Sequence, residues 1–350
     1  MRLLSHVIFF IALLPLFTGC DKPIAASSSD TPTSSSTAPE IPELRIGYFA
    51  NVTHAQAVLG VASGDFQAAL GDTKLKTKIF NAGPELIEAL NAGAIDIGYV
   101  GPGPVLSAHA NSRGQAVRVI AGSAANGVVV VARKDAGITT LHDLIGKHLA
   151  TPQYGNTQDV SAKHYVTAVL GQADANNVLP VANSQQAGMM ARGQIDAAWV
   201  PEPWGARLID ETGAVLIGEE KDLWPDHQFA LTVVVTTPKF LADHPSVIGK
   251  VLRVHHKWTQ QLTENGAAYA DQLNAALVAL GGKHLPQAVL QSAIKRTVFT
   301  DDALPDTFAT MAHWSADLKF IKGVPDLTGL FQTQIIGKLA GATTPPTTVP

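Results

Sequence analysis

The chain has 350 residues with 29 acidic and 25 basic side chains, a formal net charge of −4 and one cysteine. One cysteine excludes a disulfide scaffold and a thiolate metal cluster. Without a basic run or a Lys/Arg stripe, the sequence lacks the cationic footprint that a nucleic-acid partner requires. Between its polar ends lie about 300 residues, enough for two lobes and too many for one small core.

The first residues read as an export signal. Arg2 supplies a positive start, and Val7 to Phe17 is apolar but too short to span a bilayer as a stable helix. Leu16-Phe17-Thr18-Gly19-Cys20 resembles a bacterial lipoprotein processing box, so residues 1–19 are expected to be a signal peptide and Cys20 the lipidated residue. The other reading of Cys20 is a free cysteine behind an ordinary signal peptide. Asp21 resembles an inner-membrane retention signal, which would place the protein on the periplasmic side of that membrane, or on the outer face of a Gram-positive cell. Residues 20–43, with runs such as Ser27-Ser28-Ser29, are too polar to form a core and read as a tether. Residues 341–350 read as a disordered tail for the same reason.

Leu44 to Phe49 alternates like a strand, a loop follows at 50–53, and His54 to Ala62 reads as a helix. Leu75 to Phe80 is strand-like. Pro84 to Asn91 places Leu86, Ile87 and Leu90 on one helical face and stops near Gly93. Strand 93–100, helix 104–111 and strand 117–121 complete a first unit. The same order returns: strand 149–151, helix 157–170, strand 178–181, helix 184–192, strand 193–200, helix 203–210 and strand 214–217. The apolar runs 128–132 and 231–236 read as crossing segments, and the chain beyond Pro238 as mainly helical, at 245–262, 267–280, 286–294 and 304–321. Alternating strands and helices imply parallel sheets covered on both faces. The expected architecture is α/β, with two Rossmann-like lobes, a two-segment hinge and a helical C-terminal portion. Lobe 1 is expected to take 44–130 plus 232–340, and lobe 2 to take 131–231.

The duplication is sharpest in one octet. Gly93-Ala94-Ile95-Asp96-Ile97-Gly98-Tyr99-Val100 returns as Gly193-Gln194-Ile195-Asp196-Ala197-Ala198-Trp199-Val200. The equivalent positions of Asp96 and Asp196 argue for a structural role in satisfying turn backbone groups. Ligands of open α/β sheets bind beyond the carboxyl ends of strands, where helix starts offer unpaired N–H groups and a favourable dipole for anions. Asn51, Thr53, His54, Gly101 and Pro102 fall at such positions in the first unit, and Asn156, Thr157, Gln158, Glu202 and Trp204 in the second. Asn51, Asn156 and Thr157 could equally be helix caps. Trp204 is placed as a pocket wall. Glu202 is either a solvated surface charge or, if it faces the cleft, a group that would repel a bare anion yet pair with a ligand ammonium. Ser123, with Asn126, precedes the first crossing and is either a contact or a hinge residue.

Motifs for an acyl-transfer elbow, a P-loop or a zincin site are missing, no cofactor is called for, and His255-His256 on an amphipathic helix reads as surface rather than metal-binding. Leu44-Arg45-Ile46-Gly47-Tyr48, Gly83 to Leu90, the twin octets, Gly155-Asn156-Thr157-Gln158 and Trp199-Val200-Pro201-Glu202-Pro203-Trp204 resemble the periplasmic substrate-binding proteins of nitrate, sulfonate and taurine ABC transporters. That resemblance runs from about residue 44 to 340. It implies a type II binding fold, a monomer, that closes on a small organosulfonate and delivers it to a permease and its ATPase without being an enzyme. Nitrate, a pyrimidine precursor or another small polar solute is the alternative ligand. Gly101-Pro102-Gly103-Pro104 departs from the family's usual pattern. The same fold also serves enzymes of thiamine-pyrimidine and menaquinone-precursor biosynthesis, against which the export signal argues.

Overall fold

The computed structural model describes residues 40–341. The expected signal peptide, Cys20 and its lipid, and the tail beyond Gly341 lie outside the described residues. Among the described residues no helix is long and apolar enough to cross a membrane.

The strands are β1 (Glu43–Tyr48), β2 (Lys74–Ile79), β3 (Ile97–Val100), β4 (Arg118–Asn126), β5 (Val128–Ala132), β6 (Leu149–Thr151), β7 (Val178–Pro180), β8 (Ala197–Pro201), β9 (Val215–Glu219), β10 (Ala230–Thr236) and β11 (Thr297–Phe299). They form two sheets, ordered β11-β4-β10-β3-β1-β2 and β7-β6-β8-β5-β9. Each contains a parallel trio, β2-β1-β3 in the first and β7-β6-β8 in the second. The sheets are mixed rather than purely parallel. In each one a strand that crosses over from the other lobe inserts beside the trio and runs against it: β10 pairs antiparallel with β3, and β5 antiparallel with β8. An incoming strand starts where its neighbours end, so it must run the other way.

The two crossings differ in length. Gly127 alone separates β4 from β5, whereas residues 220–229, with the short turns Glu220–Leu223 and Pro225–His227, lead from β9 to β10; sheet membership switches at each. Asn126 holds the two crossing segments together. Its Nδ2 donates to the His227 carbonyl (3.2 Å), its Oδ1 accepts from Phe229 N–H (3.3 Å), and its own N–H donates to the Phe229 carbonyl (3.1 Å). Every residue of Val128–Ala132 is buried, as an unbroken apolar run in a doubly covered sheet must be; each such valine contributes roughly 1.5–3 kcal/mol by leaving water.

The octet repeat has one structural meaning in both lobes. Asp96 accepts from Arg45 N–H (2.8 Å) at the start of β1, and Asp196 accepts from His148 N–H (2.9 Å) just before β6. Each is also held by an arginine, Arg45 for Asp96 and Arg133 for Asp196. The preceding helices, Gly83–Asn91 and Asn183–Ala191, both stop at a glycine in the left-handed region, Gly93 at φ 67 and Gly193 at φ 68. Only glycine adopts that conformation without a Cβ penalty.

Two local expectations need correction. The helix starting at Thr157 is α-helical only to His164 and widens to a π-turn over Tyr165–Val169. The C-terminal portion is mainly helical, as expected, with one short strand, β11, paired to the end of β4. His255 is not at the surface: it is fully buried, with Nδ1 3.1 Å from the Tyr99 hydroxyl and Nε2 3.4 Å from Asp301. The last long helix, Pro305–Asp317, packs on helices of both lobes, Pro102–Asn111 in the first and Thr157–His164 in the second.

Gly93→Ala and Gly193→Ala should each lower the unfolding free energy by about 1–2 kcal/mol without changing the fold, since the added Cβ meets only the left-handed backbone cost. Chemical denaturation checks this.

Candidate functional site

Four helix starts point into the space between the lobes. The short turn Val52–His54 follows β1, the helix Gly83–Asn91 follows β2, Pro102–Asn111 follows β3, and Thr157–His164 follows β6. The longer helices bring the positive end of a helix dipole and first-turn N–H groups without an intrahelical partner; at Pro102–Asn111, where Pro102 and Pro104 have no N–H, Gly103 N–H is the group that faces the other lobe. They enclose a cavity of about 30 Å³ lined by Asn51, Thr53, His54, Gly101, Asn156, Thr157 and Gln158, with Phe49, Gly83, Pro104, Pro201, Leu231 and Thr232 completing the wall.

This lining is electrically neutral. It contains no Asp, Glu, Lys or Arg, and burial pushes the His54 imidazole down to about 3, so the ring is uncharged at ordinary pH. His54 Nδ1 accepts from Phe49 N–H (3.4 Å), which leaves the ring proton on Nε2. Asn156 does cap its helix, accepting from Asp159 N–H (2.8 Å), but it also faces the cavity. Its Nδ2 donates to Gln158 Oε1 (2.9 Å), fixing both amides. The two readings of Asn156, cap and lining residue, therefore hold together.

The lobes touch at this point. Gly103 N–H donates to Thr157 Oγ1 (3.2 Å), and a Cβ on Gly101 would collide with the same hydroxyl. A Cβ on Gly103 would lie 3.1 Å from Thr157 N. Gly101-Pro102-Gly103-Pro104 is thus glycine-rich because the opposite helix start rests on its backbone. On another side, Trp204 Nε1 donates to Asn51 Oδ1 (2.9 Å), again across the lobes.

Four expected residues lie outside the cavity wall. Pro102 is the first residue of its helix, and Pro104 makes the contact instead. Ser123 is fully buried, donating to Gln56 Oε1 (3.0 Å), and is a packing residue of β4. Trp204 braces Asn51 and carries the Arg207 guanidinium on its face (4.7 Å). Glu202 differs most from expectation. It is fully buried, accepts from Ala206 N–H (3.0 Å), and pairs with Arg296 (2.8 Å) from the helix Gln287–Arg296. Burial raises its pKa against the opposing Ala206 and Arg296 hydrogen bonds, and Arg296 also reaches Glu219 (3.5 Å). The carboxylate is committed to a cross-lobe ion pair beside Gly127, whose carbonyl accepts from Glu202 N–H (2.8 Å).

The residues that sequence reasoning missed divide by cause. Gly83 stands at a strand end before a helix and was open to the same argument as Gly101. Leu231 and Thr232 come from β10, whose antiparallel entry that argument does not reach. A wider groove of about 890 Å³ elsewhere is bordered by Asp226, Asp301, Asp302 and Asp306 against one cation, Lys338, a net negative arrangement that disfavours anions.

Two α/β lobes joined by paired crossings, with helix starts facing each other across a cleft, define a two-lobed binding-protein fold. The chain belongs to the NMT1-like family, which it matches over residues 37–277. It is 26% identical over 212 residues to a binding protein of Brucella abortus strain 2308, covering 60% of this chain and 64% of that one. It is 28% identical over 175 residues to the taurine-binding periplasmic protein of Escherichia coli K12, covering 48% and 51%. The chain thus aligns with less than two thirds of the length of these relatives. The alkanesulfonate-binding protein SsuA from Xanthomonas axonopodis pv. citri, solved bound to MOPS, superposes with a TM-score of 0.70 at 21% identity, covering 85% of this chain and all of that one.

Two substitutions probe the cross-lobe contacts. Gly101→Ala should hold the lobes apart while leaving circular dichroism and melting near those of the parent; small-angle scattering should report a larger radius of gyration. Arg296→Met strands a buried carboxylate and should cost about 3–5 kcal/mol, most of it recovered when Glu202→Gln is added. Denaturation of the single and double variants checks the coupling.

Proposed function

We propose that the protein is the extracytoplasmic solute-binding component of an ABC importer, that it captures a small organosulfonate between its lobes, and that Cys20 anchors it to the membrane. The observation that carries the ligand reading is the neutral cavity at converging helix starts. A sulfonate spreads one negative charge over three oxygens, and fixed N–H groups of a helix start satisfy it without a bound cation. Thr157 N–H, Gln158 N–H, the Thr157 hydroxyl and His54 Nε2 are the proposed donors, with Asn51, Thr53, Gly101 and Asn156 shaping the space.

The ligand would take the place of the bond between Gly103 N–H and Thr157 Oγ1. Binding groups from both lobes at once gives it a higher affinity for the closed form, which is what shifts a hinge equilibrium. Hydrogen-bond donors and apolar walls hold a ligand; they do not supply the acid–base pair an enzyme would use.

Glu202 refines the ligand class. With its carboxylate committed to Arg296, the cavity lining offers a ligand ammonium no acidic partner, which favours a plain alkanesulfonate over taurine. The cavity of about 30 Å³ is about the size of one water molecule, so a ligand enters by parting the bond between Gly103 and Thr157, and a small oxyanion such as nitrate, the second reading, parts it least. Calorimetry of the purified protein with ethanesulfonate, taurine, nitrate and sulfate separates these. Ethanesulfonate is expected to bind one to one and at least tenfold more tightly than taurine, and Thr157→Val to weaken it about tenfold, the loss of one hydrogen bond to a charged group. Heat from nitrate alone would favour the second reading, and no binding by either sulfonate would overturn the first.

A further inference from the structure

Glu220 opens the short turn Glu220–Leu223 after β9 and is fully buried. Among the described residues no cation touches it. Its Oε1 accepts from the Ser161 hydroxyl (2.6 Å) and from Trp224 Nε1–H (3.2 Å), and its Oε2 accepts from Trp199 Nε1–H (2.6 Å). Those three donors lie on three different parts of the machinery. Ser161 is one turn along the helix whose start faces the cavity. Trp199 belongs to β8, which ends at Pro201 in the cavity wall. Trp224 stacks on Phe229 (5.3 Å), the residue tied to Asn126 at the crossing.

We propose that Glu220 is a positioning residue that couples the ligand-facing helix to the hinge, and that its protonation state tunes anion affinity. The inference rests on the cleft being the ligand site. A carboxylate held only by neutral donors keeps its charge at the expense of burial. Burial pushes the group up to about 7, against the lowering effect of Ser161, Trp199 and Trp224. The indoles can only donate, so a proton on Oε2 would meet Trp199 N–H head-on. The proton is accommodated on Oε1, where the Ser161 hydroxyl can turn over and accept. When the proton leaves, a negative charge forms one turn behind the helix start that receives the ligand, and it opposes an anion there. By linkage, anion binding and Glu220 ionisation oppose each other equally.

The surrounding ionisable groups leave this assignment distinct. His54 stays neutral, and burial also lowers His164, which stacks on Trp314. Asp159 is paired with Lys163, Glu219 with Lys221 and Arg296, and Asp222 with His227. The Tyr165 ring leans on Trp199 (5.7 Å) with its pKa raised by burial, and the helix Pro305–Asp317 adds His313 and Asp317.

Ethanesulfonate keeps its charge throughout, so its dissociation constant can be measured from pH 6 to pH 8 without titrating the probe. In the parent protein the constant should rise roughly three- to tenfold across that range, the span of ordinary site-to-site coupling. In Glu220→Gln it should be flat, and His227→Gln, the control for the exposed pair, should behave like the parent. Indole fluorescence of the ligand-free protein should titrate near pH 7 and lose that step in Glu220→Gln. The melting-temperature advantage of the parent over Glu220→Gln should also shrink between pH 5 and pH 8, because a raised carboxyl pKa gives stability that is complete below about 4.5 and is lost as pH rises through 7, while the contributions of His54, His164 and Glu202 are common to both proteins and cancel in the difference. A pH-independent dissociation constant in the parent would overturn the coupling. Absence of the fluorescence step would overturn the proton linkage whether or not any sulfonate binds, so the ligand reading and this one fail separately.

Discussion

A glycine backbone meets a helix start across the cleft, with only the Thr157 hydroxyl between them. Gly101 and Gly103 present bare main chain, and the Asn156–Thr157 helix start rests on it, bonded through Gly103 N–H and Thr157 Oγ1. The closeness of that contact sets the size of the cavity, the direction of the donors around it and the way a ligand links the lobes. A larger residue at either glycine would hold the helix starts apart and spread the N–H groups beyond the reach of one oxyanion. The rest of the fold serves this approach. Paired crossings tied at Asn126 let the lobes meet in a fixed register, and the helix Pro305–Asp317 packs on Pro102–Asn111 in one lobe and on Thr157–His164 in the other, where Trp314 stacks on His164 at 4.2 Å.

The cavity lining carries no fixed charge, and the charged side chains just behind it are paired and put to structural use. Asp96 and Asp196 close the starts of β1 and β6 with Arg45 and Arg133. Glu202 and Arg296 join the lobes beside Gly127. Glu220 lies beneath the ligand-facing helix with three neutral donors around it. In the proposed site, built from backbone dipoles, an entering anion needs no reorganisation of solvated charges; Asp159 in the same helix turn is neutralised by Lys163, and Glu220, with no cation beside it, opposes the anion only when ionised.

Much of this was legible in the sequence, for reasons tied to particular residues. The alternation of strand and helix and the doubled Ile-Asp octet give the two units, because hydrophobic period and glycine stops are local properties. Strand ends followed by helix starts locate Asn51, Thr53, His54, Gly101, Asn156, Thr157 and Gln158, because that placement follows from sheet geometry. What stayed hidden depends on partners far along the chain. The antiparallel insertion of β5 and β10 is a pairing choice that no local pattern encodes. Glu202 reads as a cleft acid until Arg296, 94 residues later, is seen to take it. His255 reads as a surface residue until Tyr99 and Asp301 close around it, and Ser123 as a contact until Gln56 occupies it.

The central claim is that an oxyanion lies at the helix start Thr157–Gln158, held by backbone and neutral side chains from both lobes. A crystal structure of the protein grown with ethanesulfonate tests it most directly. The account predicts sulfonate oxygens within hydrogen-bonding distance of Thr157 N–H and Gln158 N–H, with the bond between Gly103 and Thr157 replaced by the ligand. A sulfonate bound at an arginine or lysine elsewhere, with that cross-lobe bond intact, would contradict it.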